Sequence, residues 1–404
     1  MEYTNKYPFI FIHGMMGWGE EEGLYKLPYW GMVCGNLVKQ LREEGIEAYA
    51  PQVSPLGSAW ARACELYAQL TGTRVDYGEA HAKKYHHERF GRTYDKALVP
   101  GWGQPMADGG IKKVHILGHS FGGATIRTLS SLLENGCEAE RAVTDPSDLS
   151  PLFAGGHGDW IMTLTSVSAP HDGTTFVHCF PKLMIAVKAL ATGATTLIAN
   201  LGGGKVYDVH MEQYGLNEDP FHRTGRKHLL FTPKQLKGFY NIFKYKDNVF
   251  DDLRIDQAGE LNKHLSPNKN VYHFSIAGNG TKPAKDNPEF QVRAPIMIFA
   301  FIPFAKVMGK WEPKTLGVNE TNLNWRPNDG LVPLESARFP QKEPHINYAD
   351  AKTIEKGIWH VMPDYSADHG TVIGGSISYI GPGKSKPYKE YWHKHLKMLQ
   401  DLED

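Results

Sequence analysis

Val114-His-Ile-Leu-Gly-His-Ser-Phe-Gly-Gly123 is an apolar run that ends in Gly118-x-Ser120-x-Gly122. Behind it, Ile126, Leu129, Leu132 and Leu133 recur at helical spacing as far as Gly136. A strand that bends sharply into a helix with serine at the bend is a nucleophile elbow. Its glycines are needed because larger side chains would collide where strand and helix converge. Working outward, Pro8-Phe-Ile-Phe-Ile-His13-Gly14 reads as a buried strand running into a loop. Trp30 to Gly45 has helical periodicity with Gly45 as its stop, and Ile46 to Ala50 and Trp160 to Val167 read as further strands. This alternation predicts an α/β fold: a mostly parallel central sheet with helices on both faces. Ligands of such sheets bind beyond the carboxyl ends of the strands. Ser120, the His13-Gly14 loop and the Pro170-His171-Asp172-Gly173 loop would gather there.

The chain has 404 residues, which one α/β domain can reach by carrying insertions. Two stretches break the alternation and read as insertions, 55–104 and 174–250. Lys+Arg and Asp+Glu both total 44, so no net field recruits nucleic acid or an anionic surface. Cys34, Cys64, Cys137 and Cys179 show no C-x-x-C spacing, so neither a thiolate metal site nor a dense disulfide scaffold is suggested, and one or two bridges stay open. The N-terminus lacks the regions of a signal peptide. The most apolar long segment, Leu183 to Leu201, is interrupted by Lys188, Gly193 and several threonines and does not read as a membrane span.

A serine hydroxyl becomes nucleophilic when a general base takes its proton, and a carboxylate must orient that base. In this fold type acid and histidine follow the serine in that order, each in a loop just past a strand. Asn328-Asp329-Gly330 and Ala367-Asp368-His369-Gly370 satisfy both conditions, with Asp172 and His360 as competitors; Trp359-His360-Val361 reads as a strand interior. Charge that builds on a substrate oxygen needs backbone N–H donors. Phe121, next to the nucleophile, and Met15, in the loop after the first strand, are the candidates.

At this point the chain resembles the lipases of thermophilic Bacillus and Geobacillus and of staphylococci. The matching segments are His13-Gly-Met-Met-Gly-Trp-Gly19, Tyr29-Trp-Gly31, Arg62-Ala-Cys-Glu65, Val75-Asp-Tyr-Gly78, Phe90-Gly-Arg-Thr-Tyr94, Gly118-His-Ser-Phe-Gly122, Ser131-Leu-Leu-Glu-Asn-Gly136, Pro170-His-Asp-Gly-Thr-Thr175, Asn328-Asp-Gly330 and Asp368-His369, all in order. The resemblance implies an α/β-hydrolase fold with Ser120, Asp329 and His369 as the triad. It also implies a zinc site in the inserted subdomain of 55–104, with His81 and His87 on the family's histidine positions and Asp252 on its later aspartate. The family's first aspartate is replaced by Ala61, which leaves a coordination position for water or a neighbour such as His86. The thermophilic members also hold calcium through acidic residues after the catalytic histidine. Gly370-Thr371-Val-Ile-Gly-Gly-Ser376 lacks them, so no calcium site is expected.

The resemblance further places lid helices in 174–250. Leu183, Val187, Leu190, Ala194, Leu197 and Leu201 form one apolar helix face there, which periodicity alone reads as a buried core helix; Gly193 and a Gly202-Gly203-Gly204 hinge favour the lid. The expected activity is hydrolysis of water-insoluble carboxylic esters such as triacylglycerols through an acyl-serine. A polyesterase or short-chain carboxylesterase is the alternative, since polyester-hydrolysing lipases of anaerobic bacteria are similar too. An acyltransferase and a non-catalytic binding protein on the same fold rank below these. The expected partner is a lipid or polymer surface, the expected state a monomer. Secretion follows from the resemblance, while the residues alone leave a cytoplasmic location open.

Overall fold

The Phe-Ile-Phe-Ile run of β1 (Phe9–Ile12) is buried at every residue, as expected of a strand covered on both faces. Its side chains part in alternation. Ile10 and Ile12 enter one core, and Phe9 and Phe11 enter another. These two cores lie on opposite faces of a single sheet. The structure, a computed structural model, describes residues 4–20, 26–188, 193, 207–216 and 233–404.

The sheet continues with β2 (Ala48–Tyr49), β3 (Val114–His119), β4 (Ile161–Val167), β5 (Tyr272–Ile276), β6 (His345–Asn347) and β7 (Trp359–Val361). The strand order is β6-β7-β5-β4-β3-β1-β2, and every neighbouring pair is parallel. Register aligns Ile12 with Gly118, and His119 with Val167. The chain therefore leaves β1, β3 and β4 on one edge, which sets the loops after them side by side.

Seven helices matter to the site: α1 (Leu37–Glu43), α2 (Ala59–Thr71), α3 (Glu79–Tyr85), α4 (Gly122–Asn135), α5 (Thr175–Cys179), α6 (Val249–Asp252) and α7 (Lys386–Gln400). Leu66 and Leu70 of α2 meet Ile126, Leu129 and Leu133 of α4 on one face. Leu37 and Leu41 of α1 meet Trp392 and Leu396 of α7 on the other. Burying a large apolar side chain stabilises by roughly 1.5–3 kcal/mol, so the elbow strand is held between two substantial layers.

The helix expected over Trp30 to Gly45 is shorter than its periodicity suggests. Gly31 and Gly35 have φ of 106° and 96°, which an α-helix cannot use, so Met32–Cys34 is a 3-10 turn. The helix proper starts at Leu37 after Asn36 accepts the Lys39 N–H, and Gly45 (φ 81°) follows its end. All four cysteines are free thiols. Among the described residues no helix is long and apolar enough to cross a membrane. Of the apolar face in 174–250, Leu183 and Val187 lie in the helical stretch 181–188 and pack against the cluster of Phe176 and Phe250. Leu190, Ala194, Leu197, Leu201 and the Gly202 to Gly204 hinge lie outside the described residues.

Candidate active site

Ser120 has φ 55°, a left-handed conformation that costs an L-residue about 1–3 kcal/mol. The surrounding backbone enforces it: Ser120 N–H donates to the Val167 carbonyl at 2.8 Å, and Gly123 N–H donates to the Ser120 carbonyl at 2.9 Å. The flanking glycines are required for space. A Cβ on Gly118 would lie 2.4 Å from the Gly122 carbonyl oxygen, and one on Gly122 would lie 2.7 Å from that of Ile12. Ser120 is half-buried at the start of α4, beside the loop after β1.

Asp329 and His369, forty positions apart, meet with His369 in the loop past β7 and Asp329 behind the 3-10 turn Leu323–Trp325, where a strand was expected. Asp329 is fully buried. Its Oδ2 lies 2.7 Å from His369 Nδ1, while Oδ1 accepts the N–H groups of Leu331 (2.9 Å) and Val332 (2.7 Å). The His369 N–H also donates to the Asp329 carbonyl at 2.9 Å. Because a carboxylate only accepts, Nδ1 carries the proton and Nε2 is left as a base. The His369 ring stands 4.7 Å from that of His119, the residue before Ser120, so the pair reaches the elbow. The competitors are otherwise engaged. Asp172 accepts from Asn262 and from the Gln341 N–H, and burial pushes its carboxyl up to about 6. His360 sits inside β7 between the His273 carbonyl and the Glu355 N–H.

The loop after β1 is held by polar groups. His13 Nε2 accepts the Val53 N–H, which leaves its Nδ1–H to donate to the Gly14 carbonyl at 2.8 Å. Arg62 of α2 is buried and donates to the carbonyls of His13 (2.5 Å) and Ser54 (2.8 Å) and to Thr125 Oγ1 (2.8 Å). The Gly14 carbonyl and the Met15 N–H share one planar peptide, so fixing the oxygen also fixes the direction of the N–H. Among the described residues neither the Met15 nor the Phe121 N–H has an acceptor. The part Arg62 and the His13 ring play in holding this loop was not assigned from the sequence, where His13 reads only as a residue of the loop. The available signal was an arginine and Glu65 set among the small apolar residues of α2.

The second cluster corrects an expectation. His81 and His87 converge with Asp247 and not with Asp252: His81 Nε2 is 3.4 Å from Asp247 Oδ1, and His87 Nε2 is 3.5 Å from Oδ2. Asp252, at the end of α6, faces the start of α2, where its Oδ2 accepts the Ala59 N–H at 2.8 Å. Helix α2 has unpaired N–H groups at its first turn, and Asp252 together with Ser58 satisfies them. Nor does His86 complete the cluster; it stacks on Tyr245 with ring centroids 4.0 Å apart. Ala61 is buried in the α2 core. The Nε2 atoms of His81 and His87 are buried without hydrogen-bond partners, which is the arrangement of imidazoles that hold a cation. Burial alone would raise the Asp247 carboxyl, yet the two histidines hold it well below its usual range.

Residues 5–403 match the family model described as lipase-like, C-terminal domain. The chain belongs to that family. It is 34% identical to Lipase 1 of Staphylococcus aureus (strain MRSA252) over 404 residues, covering 98% of this chain and 54% of the relative. The chain thus spans about half the length of the curated relatives it matches. Among solved structures it is similar to Staphylococcus hyicus lipase, with a TM-score of 0.81 at 29% identity over 98% of this chain and 97% of the other. It is also similar to lipase 1 of Pelosinus fermentans, with a TM-score of 0.75 at 33% identity over 97% and 98%. The expected α/β-hydrolase fold is therefore the fold found.

Proposed function

We propose that the chain is a serine carboxylic-ester hydrolase of lipase type, with Ser120, Asp329 and His369 as its triad. The observation that carries this reading is the Asp329–His369 hydrogen bond of 2.7 Å beside a serine held at positive φ, with two acceptor-free amides alongside. His369 Nε2 takes the proton of Ser120 Oγ as the oxygen attacks the ester carbonyl. The oxyanion that forms is received by the Met15 and Phe121 N–H groups. His369 then gives its proton to the alcohol oxygen as the C–O bond breaks, leaving an acyl-serine. Water attacks next, His369 removes its proton and passes it to Ser120 Oγ as the acyl C–O bond breaks, and the carboxylic acid departs from the regenerated serine. Throughout, Asp329 holds the tautomer that keeps Nε2 free.

The reading extends to water-insoluble esters, triacylglycerols first, on the strength of family membership and of the apolar cluster containing Met15, Phe121, Phe176, Phe180 and Phe304 beside the serine. It includes a lid within 174–250, a secreted location and a monomeric state. A divalent cation, zinc in this reading, would be held by His81 and His87 of the 55–104 subdomain together with Asp247 of 174–250, and would tie α3 to the approach to α6 and supply structural rigidity. Hydrolysis of p-nitrophenyl esters of increasing chain length, beside triacylglycerol emulsions and a polyester film, tests the substrate class. Preference for long chains and emulsions supports the lipase reading. Activity confined to short chains or the film transfers it to the esterase or polyesterase.

A further inference from the structure

The elbow glycines and serine account for Gly118, Ser120 and Gly122, but not for His119 between them. Its ring is buried and bonded at both nitrogens: Nε2 is 3.0 Å from the His369 carbonyl oxygen, and Nδ1 is 2.7 Å from Tyr29 Oη. A carbonyl can only accept, so Nε2 carries the proton. Burial holds the imidazole neutral, with its pKa far below the usual value, so Nδ1 is bare and accepts the Tyr29 O–H. The Tyr29 oxygen in turn accepts the Gly14 N–H at 2.9 Å. The direction of the chain is thus determined: Gly14 N–H to Tyr29 O–H to His119 Nδ1, and His119 Nε2–H to the His369 carbonyl.

This chain touches three parts of the reaction at once. At one end is the peptide before the oxyanion donor Met15, in the middle the residue next to Ser120, and at the other end the backbone of the base. Gly14 is where such a tie is needed. A Cβ there would lie 2.7 Å from Ser120 Cβ and 3.1 Å from the His119 carbonyl oxygen, so only glycine fits. Glycine is also the residue with the most conformational freedom. The orientation of the loop must therefore come from hydrogen bonds: His13 Nδ1 holds the oxygen of the Gly14-Met15 peptide, and the peptide before it is held as well. Arg62 holds the oxygen of the His13-Gly14 peptide and Tyr29 holds its N–H, pinning that plane at both ends.

We propose that Tyr29 and His119 are positioning residues of the ester-cleaving reaction, a hydrogen-bonded relay that sets the oxyanion loop against the loop of the catalytic histidine. The proposal rests on the serine-hydrolase reading above. Neither side chain touches substrate; each acts through Gly14, Ser120 and His369.

The test compares two inhibitors on wild type, Tyr29→Phe and His119→Gln. One is a trifluoromethyl ketone, which forms a hemiketal oxyanion with the serine. The other is an ether analogue of the ester with the same chains, which forms no oxyanion. Tyr29→Phe keeps the ring, which sits 5.4 Å from Trp18 and 5.8 Å from His13, and removes only the hydroxyl. It should weaken the ketone about tenfold, the scale of one well-placed hydrogen bond, lower kcat by a similar factor, and leave the ether affinity and KM within about twofold. His119→Gln keeps an N–H toward the His369 carbonyl and loses the acceptor for Tyr29. It should show the same selective loss, and it carries the test if Tyr29→Phe does not fold. Equal weakening of both inhibitors, or no weakening of either, overturns the relay. A wild type that binds no hemiketal and cleaves no ester instead overturns the underlying functional reading.

Discussion

Replacing Asp329 by asparagine should disable the protein while leaving its fold intact, and the structure says why the amide cannot escape into a working orientation. Asp329 Oδ1 accepts two backbone N–H groups, at 2.9 and 2.7 Å, and Oδ2 faces His369 Nδ1 at 2.7 Å. An asparagine that keeps its oxygen on the two amides must turn its NH2 toward His369. That NH2 donates, so His369 Nδ1 must become the acceptor and the proton moves to Nε2, the atom that has to take the Ser120 proton. The base is then gone. Flipping the amide would restore the tautomer but would aim NH2 at two buried donors, at roughly 1–3 kcal/mol for each unmet group, or roughly 2–6 kcal/mol together. The wrong tautomer therefore prevails, and kcat should fall by ~10³–10⁴, equivalent to about 4–5.5 kcal/mol on the barrier. The assay is steady-state hydrolysis of a p-nitrophenyl ester with thermal unfolding measured alongside. A loss below tenfold in a folded Asp329→Asn protein would refute the tautomer argument.

Three further outcomes are expected. Gly14→Ala puts a Cβ 2.7 Å from Ser120 Cβ, so the oxyanion loop must shift, and kcat/KM should drop by about 100-fold with the unfolding midpoint little changed; unaltered kinetics would contradict the loop geometry. Metal analysis should show stoichiometric zinc in wild type, its loss in Asp247→Ala, and its retention in Asp252→Ala, which should instead lose about 1 kcal/mol of stability through the uncapped start of α2; the reverse pattern would restore Asp252 as ligand. Glu65 is buried, and that burial raises its carboxyl to about 7 from an ordinary 4.5. Folding thus favours its protonated form, and the stability it contributes is present below pH 4.5 and fades as pH rises through 7. Glu65→Gln should accordingly gain on wild type by up to about 3 kcal/mol between those pH values in urea titrations, and a pH-independent difference would exclude the shift.

The elbow was legible because its constraints are local: a β-branched strand, glycines at fixed offsets and a helical repeat behind them all occupy one stretch of chain. Asp329 and His369 were legible for a different reason, their order after the serine; His369 does lie past β7, whereas Asp329 follows the 3-10 turn Leu323–Trp325 and not the strand expected before it. Spacing reached its limit at the cluster of His81, His87 and Asp247. Asp247 and Asp252 lie five residues apart on either side of Asn248, and which of them turns to His81 depends on α6 and on the needs of the start of α2. Periodicity likewise overran at Trp30 to Gly45, because the apolar pattern does not register that Gly31 and Gly35 adopt positive φ. The support of the oxyanion loop was hidden most deeply. Arg62, Tyr29 and His119 act through backbone carbonyls and amides up to 250 positions away, and no pattern of side chains encodes those partners.

The most direct test of the central claim is intact-mass analysis after treatment with a serine-directed organophosphonate, comparing wild type with Ser120→Ala. The account predicts one adduct on wild type and none on the variant. No adduct on wild type, or the same adduct on both, would contradict it.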